Sequence, residues 1–108
     1  MQITVEEKED FIIVTPEGKL DSVTSPAFEE KVLSLINESK KNLLINFEKT
    51  NYISSAGLRV LLISAKKAKT INGSVRLASM NPQMKDVFSI SGFSSLFKIY
   101  DSPAEADF

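Results

Sequence analysis

Few residues of this 108-residue chain can do covalent chemistry, because it contains neither cysteine nor histidine. A thiolate nucleophile, the common zinc sites and a Ser-His-Asp triad are therefore excluded. What remains is a cluster of hydroxyls in residues 51–59, Asn-Tyr-Ile-Ser-Ser-Ala-Gly-Leu-Arg. Ser54 and Ser55 stand immediately before a helical pattern, where unpaired amides and a partial positive charge accommodate a phosphate. Esterifying one of these serines would add about 1.5 to 2 negative charges at a single point. Generic physics allows a plainer role, with a serine capping the helix and Gly57 permitting close packing, and does not separate the two. The Gly-x-x-x-x-Gly-Lys-Ser/Thr phosphate loop is absent, and Asp21 with a serine lacks a convergent acid, base and metal-ligand set. No catalytic residue, metal or cofactor is expected.

The elements that must position these hydroxyls can be read from the pattern. Ile3 and Val5, then Phe11 to Val14, are strand-forming runs separated by acidic residues 6–10, which predicts a hairpin. Pro16 to Gly18 break the run, and Leu20 and Asp21 form a short extended step. Ser25 is placed as the N-cap of a first helix, with Pro26 at its first position and Glu29 and Glu30 near its positive end. Phe28, Val32, Leu35 and Ile36 draw its apolar stripe. The continuous run Leu43-Leu44-Ile45 predicts a central strand covered on both faces. Glu48 to Asn51 reads as a turn, and Leu58, Leu61, Leu62, Ala65, Ala68 and Ile71 place a second helix over 55–71. Val60 and Ile63 lie off that stripe, free to meet a partner unless the core is two-sided.

Lys66, Lys67 and Lys69 suit the negative end of the second helix and read as a solvated face, with Asn72 and Gly73 as the stop. Val75 and Leu77 predict a strand. Asn81-Pro82 starts a third helix through Met84, Val87 and Phe88, which Gly92 ends. Phe97, Ile99 and Tyr100 suggest a last strand, and Asp101 to Pro103 the cap of a brief terminal helix. Together these predict one α/β domain over 1–108, a mixed four- to five-stranded sheet opened by an antiparallel hairpin, with helices packed against it.

Composition bounds the function. An apolar share of 43% and a charged share of 25% match a globular domain and argue against disorder or a disulfide scaffold. A formal net charge of −1 gives no general field toward a phosphate backbone, so no direct nucleic-acid contact is expected. No apolar run of about 18 residues and no basic leader is present, so no membrane contact and a cytoplasmic location are expected.

The motifs resemble those of the anti-sigma factor antagonists, whose STAS domain is shared with the C-terminal tails of sulfate transporters. The likeness covers nearly the whole chain. It rests on Gly18-Lys19-Leu20-Asp21, on Leu43-Leu44-Ile45-Asn46-Phe47, on Tyr52-Ile53-Ser54-Ser55-Ala56-Gly57-Leu58-Arg59 and on Phe97-Lys98-Ile99-Tyr100-Asp101-Ser102. In such proteins the serine two residues before the glycine of the central block is phosphorylated, which here is Ser55. The resemblance implies partner switching. The unmodified antagonist binds an anti-sigma factor that is also a serine kinase and frees the sigma factor, phosphorylation inactivates it, and a serine phosphatase restores it. ATP belongs to the kinase.

Two positions depart from that pattern, Ser54 and Asn46, where the family often has aspartate. Two hydroxyls therefore compete, with Ser54 assigned to the N-cap and Ser55 to the modification. Asp21 is expected at the binding surface with Ser54, Ser55, Ala56, Gly57, Leu58 and Arg59, the small residues letting a partner's backbone approach. The alternative is a STAS-type subunit of a lipid-transport or transporter complex, which needs no kinase.

Overall fold

The computed structural model describes residues 1–108. The elements run β1 (Ile3–Glu7), β2 (Ile12–Pro16), β3 (Gly18–Leu20), α1 (Ser25–Asn37), β4 (Asn42–Asn46), β5 (Thr50–Ile53), α2 (Ser55–Lys69), β6 (Ser74–Ala78), α3 (Pro82–Ser91) and β7 (Ile99–Tyr100), with 3-10 turns at Phe93–Ser95 and Pro103–Glu105. Five strands form one mixed sheet in the order β1-β2-β4-β6-β7. The β1-β2 hairpin is antiparallel, whereas β2-β4, β4-β6 and β6-β7 are parallel.

Alternation along the strands divides the core. Ile12, Val14, Leu43, Ile45, Val75 and Leu77 join Phe28 and Val32 of α1, Leu61 of α2, and Met84 and Phe88 of α3 in one buried cluster. Ile13, Leu44 and Ala78 point the other way, under Phe11, Tyr100, Ala106 and Phe108. The unbroken apolar run of β4 follows from this arrangement, since the central strand is covered on both sides. The second cover is the C-terminal chain. There Phe108 stacks on Phe11, with ring centroids 4.7 Å apart, and the Arg76 guanidinium lies 4.3 Å from the Phe108 centroid.

Two expectations need correction. The stretch 48–51 is not all turn, because Thr50 and Asn51 begin β5, which pairs in parallel with β3 in a separate two-stranded sheet. Only Thr50 and Ile53 of β5 are buried, so its four residues carry no clean alternation to read. Thr50 is held inside by its Oγ1 donating to the Pro16 carbonyl at 2.8 Å.

Nor is Ser25 the cap of α1. The chain is already helical at Thr24 (φ −92°, ψ −23°), and Asp21 has taken the capping work upstream. Its Oδ1 accepts from the main-chain N–H of Val23 at 3.0 Å and of Thr24 at 3.1 Å. Ser25 is consequently inside the helix, buried, with its Oγ unpartnered. By contrast the third helix starts and stops as read. Asn81 Oδ1 accepts from the Met84 N–H at 2.8 Å, and Gly92 closes it in the left-handed region at φ 81°.

Candidate functional site

The hydroxyl segment sits where β5 hands over to α2. Ser54 is extended (φ −99°, ψ 178°), which is the backbone of an N-cap, and its carbonyl accepts the first helical bond from the Leu58 N–H at 3.0 Å. The amides of Ser55, Ala56 and Gly57 precede that bond and stay free at the positive end of a 15-residue helix. Ser54 thus occupies the cap position but does not cap with its side chain. Its Oγ is buried without a partner. Ser55, the first helical residue, is exposed.

The small second sheet brings Asp21 to the same corner. Leu20 of β3 pairs with Ile53 of β5 in parallel, so both strands exit at one edge, and the Ser54 N–H donates to the Leu20 carbonyl at 2.8 Å. Asp21 follows Leu20 as Ser54 follows Ile53. The Thr24 main chain holds the Asp21 carboxyl below its ordinary value against the cost of desolvation, with help from the Val23 amide, the Thr24 hydroxyl and Lys19. Around neutral pH this corner carries a fixed carboxylate beside an exposed hydroxyl.

The seven residues expected at the surface separate into two groups. Ser55 and Arg59 are exposed, and Asp21, Ser54 and Ala56 are half-buried. Gly57 and Leu58 turn inward, which corrects the expectation that they form part of the approachable surface. A Cβ on Gly57 would stand 2.7 Å from Ile53 Cγ1 and 3.1 Å from Leu20 Cβ, so its glycine lets α2 press against β3 and β5. Val60 is buried too, because α2 packs on two sides, and Ile63 is half-buried.

Sequence reading missed the apolar neighbours of this corner. Tyr52 is 50% exposed and lines a shallow dimple with Ile53, Met84 and Val87, while Ile90, further along α3, is 88% exposed. No alternation along β5 announced it; the parallel pairing of β5 with β3 buries Ile53 and leaves Tyr52 out. Asn46, the other departure from the family pattern, is buried. Its Oδ1 accepts from the Glu48 N–H and its Nδ2 donates to Glu48 Oε1, which fixes the turn before β5. No cluster of three or more carboxylates is placed to hold a metal, and no helix is long and apolar enough to cross a membrane.

The chain is similar to several known proteins. BtrV of Bordetella bronchiseptica, provisionally named an anti-sigma factor antagonist, is 29% identical over 102 residues, spanning 94% of this chain and 88% of BtrV. The anti-sigma-B factor antagonist of Bacillus subtilis is 27% identical over 99 residues, spanning 92% of this chain and 90% of that protein. The Bacillus anti-sigma factor antagonist SpoIIAA has been solved unphosphorylated and phosphorylated. Both forms superpose with a TM-score of 0.75 over 96% of this chain, at 19% and 20% identity, covering 92% and 95% of SpoIIAA. The STAS domain model matches residues 2–106, and the chain belongs to the STAS domain family.

Proposed function

We propose that this protein is an anti-sigma factor antagonist switched by phosphorylation of Ser55. The observation that carries the reading is the exposed Ser55 hydroxyl on the first residue of α2, next to free helix amides and fastened through Ser54 to the Asp21 loop. Relatives over nearly the whole chain are named as such antagonists, and the neighbour SpoIIAA exists in a phosphorylated form.

In the unmodified state Ser55, Ala56 and Arg59 form a closely approachable surface with Asp21 and Ser54 for an anti-sigma factor that has serine kinase activity. Gly57 and Leu58 set the height of that surface from beneath. Phosphate on Ser55 places about two negative charges beside the Asp21 carboxylate, in a contact fitted to a neutral hydroxyl. Desolvation and repulsion then oppose docking, and about 1.4 kcal/mol reduces affinity tenfold. The fold need not change, since a helix N-terminus tolerates the new charge. A serine phosphatase resets the switch, and the antagonist itself performs no catalysis.

Phosphopeptide mass spectrometry after incubation with ATP and candidate anti-sigma kinases tests this reading. One phosphate in wild type and Ser54→Ala, absent in Ser55→Ala, is the expected pattern. Loss only in Ser54→Ala would move the site by one residue. No phosphate and no stable complex with any candidate would favour a subunit of a transporter assembly.

A further inference from the structure

Lys66 and Lys69 of α2 border a groove that the Ser55 switch does not use. It lies at the far end of the helix, about 340 Å³ in volume, between α2 and the segments Gly73–Val75 and Leu96–Phe97. Leu62 and Ala65 of α2 and Val75 of β6 supply apolar walls, Leu96 stands 58% exposed at the rim, and Lys66 and Lys69 flank it.

Three observations define what fits. No acidic side chain lines the groove, and α2 contains none along its length. The ion pairs of the molecule engage Lys8, Lys40 and Lys85, which leaves Lys66 and Lys69 unneutralised in a protein of net charge −1. Val75 and Phe97 on its walls are buried while Leu96 is 58% exposed, so an apolar side chain seated there would meet both wall and rim. Helix-dipole complementarity accounts for lysines in a last turn, but not for the apolar groove that Lys66 and Lys69 line together with Leu62, Ala65, Val75, Leu96 and Phe97.

We infer that this groove is a second docking surface, for an acidic amphipathic segment of a partner protein. Its occupant inserts an aliphatic or aromatic anchor between α2 and Leu96, and presents two carboxylates about one helical turn apart to Lys66 and Lys69. From Leu62 to Lys69 the helix rises about 10 Å, enough for two turns of a helix or three extended residues. Because the groove is at the opposite end of α2 from Ser55, docking there is compatible with either state of the switch.

Selection of a random peptide phage library on the whole protein tests the inference. Expected are peptides with an apolar anchor flanked by Asp or Glu, whose affinity falls at least tenfold for Lys66→Glu/Lys69→Glu and for Leu96→Asp. Affinity should also weaken as salt is raised and be unchanged in Ser55→Ala, which separates this surface from the switch. Circular dichroism melts establish that the variants remain folded. No enrichment, enriched peptides without acidic residues, or peptides bound equally by the variants would each overturn the inference. So would binding of phosphatidylglycerol vesicles lost with the same substitutions while no peptide is retained.

Discussion

The main-chain N–H of Ser54 donates to the carbonyl of Leu20 across 2.8 Å, and this one bond joins the entry of α2 to the exit of β3. It makes the Asp21 loop and the Ser55 hydroxyl parts of one rigid corner, although 33 intervening residues separate them in sequence. On the proposed reading, a partner at this corner meets the Asp21 carboxylate at the exit of β3 and the Ser55 hydroxyl, or its phosphate ester, at the entry of α2.

Charge at the variable position should therefore act on binding and leave folding alone. Ser55→Asp is expected to weaken the anti-sigma complex about tenfold or more, or about 1.4 kcal/mol. Its stability should remain within about 0.5 kcal/mol of wild type, as for an exposed substitution. Calorimetric titration alongside thermal melts measures both, with Ser55→Ala binding like the unmodified protein.

Beneath the corner, packing leaves no space. Gly57→Ala sets a methyl 2.7 Å from Ile53 Cγ1, and the neighbouring Leu20 Cβ at 3.1 Å blocks retreat. A loss of about 1 to 3 kcal/mol is expected from overpacking. Denaturant unfolding of Gly57→Ala, Ile53→Ala and the double variant should give a double-variant loss smaller than the sum of the single losses, because Ile53→Ala removes the Cγ1 and Cδ1 atoms that the new methyl meets.

The pH dependence of the Asp21 loop has a defined sign. The Thr24 main-chain bond leads the set that lowers the folded carboxyl below 3.8, so ionised Asp21 stabilises the fold above that value. That contribution is lost as pH falls through the lower folded value. Asp21→Ala should melt below wild type near pH 7, and the gap should close in acid below 3.8. A gap that persisted undiminished to about pH 2 would place the contribution elsewhere.

At the start of α3, Asn81 satisfies the Met84 amide through its side chain, as Ser54 does not for α2. Asn81→Ala should cost about 1 kcal/mol, within the 0.5 to 2 range of lost caps. The equivalent loss of the hydroxyl in Ser54→Ala should be smaller, because its Oγ holds no hydrogen bond. Parallel chemical denaturation of the two variants makes the comparison.

On the opposite face of the sheet, Arg76 binds the tail. Its Nη1 donates to the Tyr100 hydroxyl at 3.0 Å and to the Asp107 carbonyl, while its guanidinium covers Phe108. Burial pushes the Tyr100 phenol up, but the Arg76 and Asp107 hydrogen bonds and the charges of Arg76 and Lys98 outweigh it, so the phenol ionises below 10.0. Arg76→Ala should move that ionisation upward. Ultraviolet titration in a Tyr52→Phe background, which leaves Tyr100 as the sole tyrosine, reads it directly.

What the sequence alone determined is largely what local physics controls. The hairpin, the central strand, the stripe of α1 and both ends of α3 are written in alternation, helical periodicity and residues such as Asn81 and Gly92, whose capping needs only near neighbours. The exposed serine at a helix start was legible in the same way. Tertiary structure decided the rest. Whether Gly57, Leu58 and Val60 face a partner or the core depends on how α2 meets β3 and β5, and those short strands exist only as a pair, stabilised by contacts between distant segments. Asp21 replaces Ser25 as the capping residue because the chain turns four residues before α1, with Asp21 accepting the Ser25 amide, a path set by β3 and invisible to helix periodicity. Pairing across the sheet, rather than propensity along it, put carboxylate, hydroxyl and helix terminus in one place.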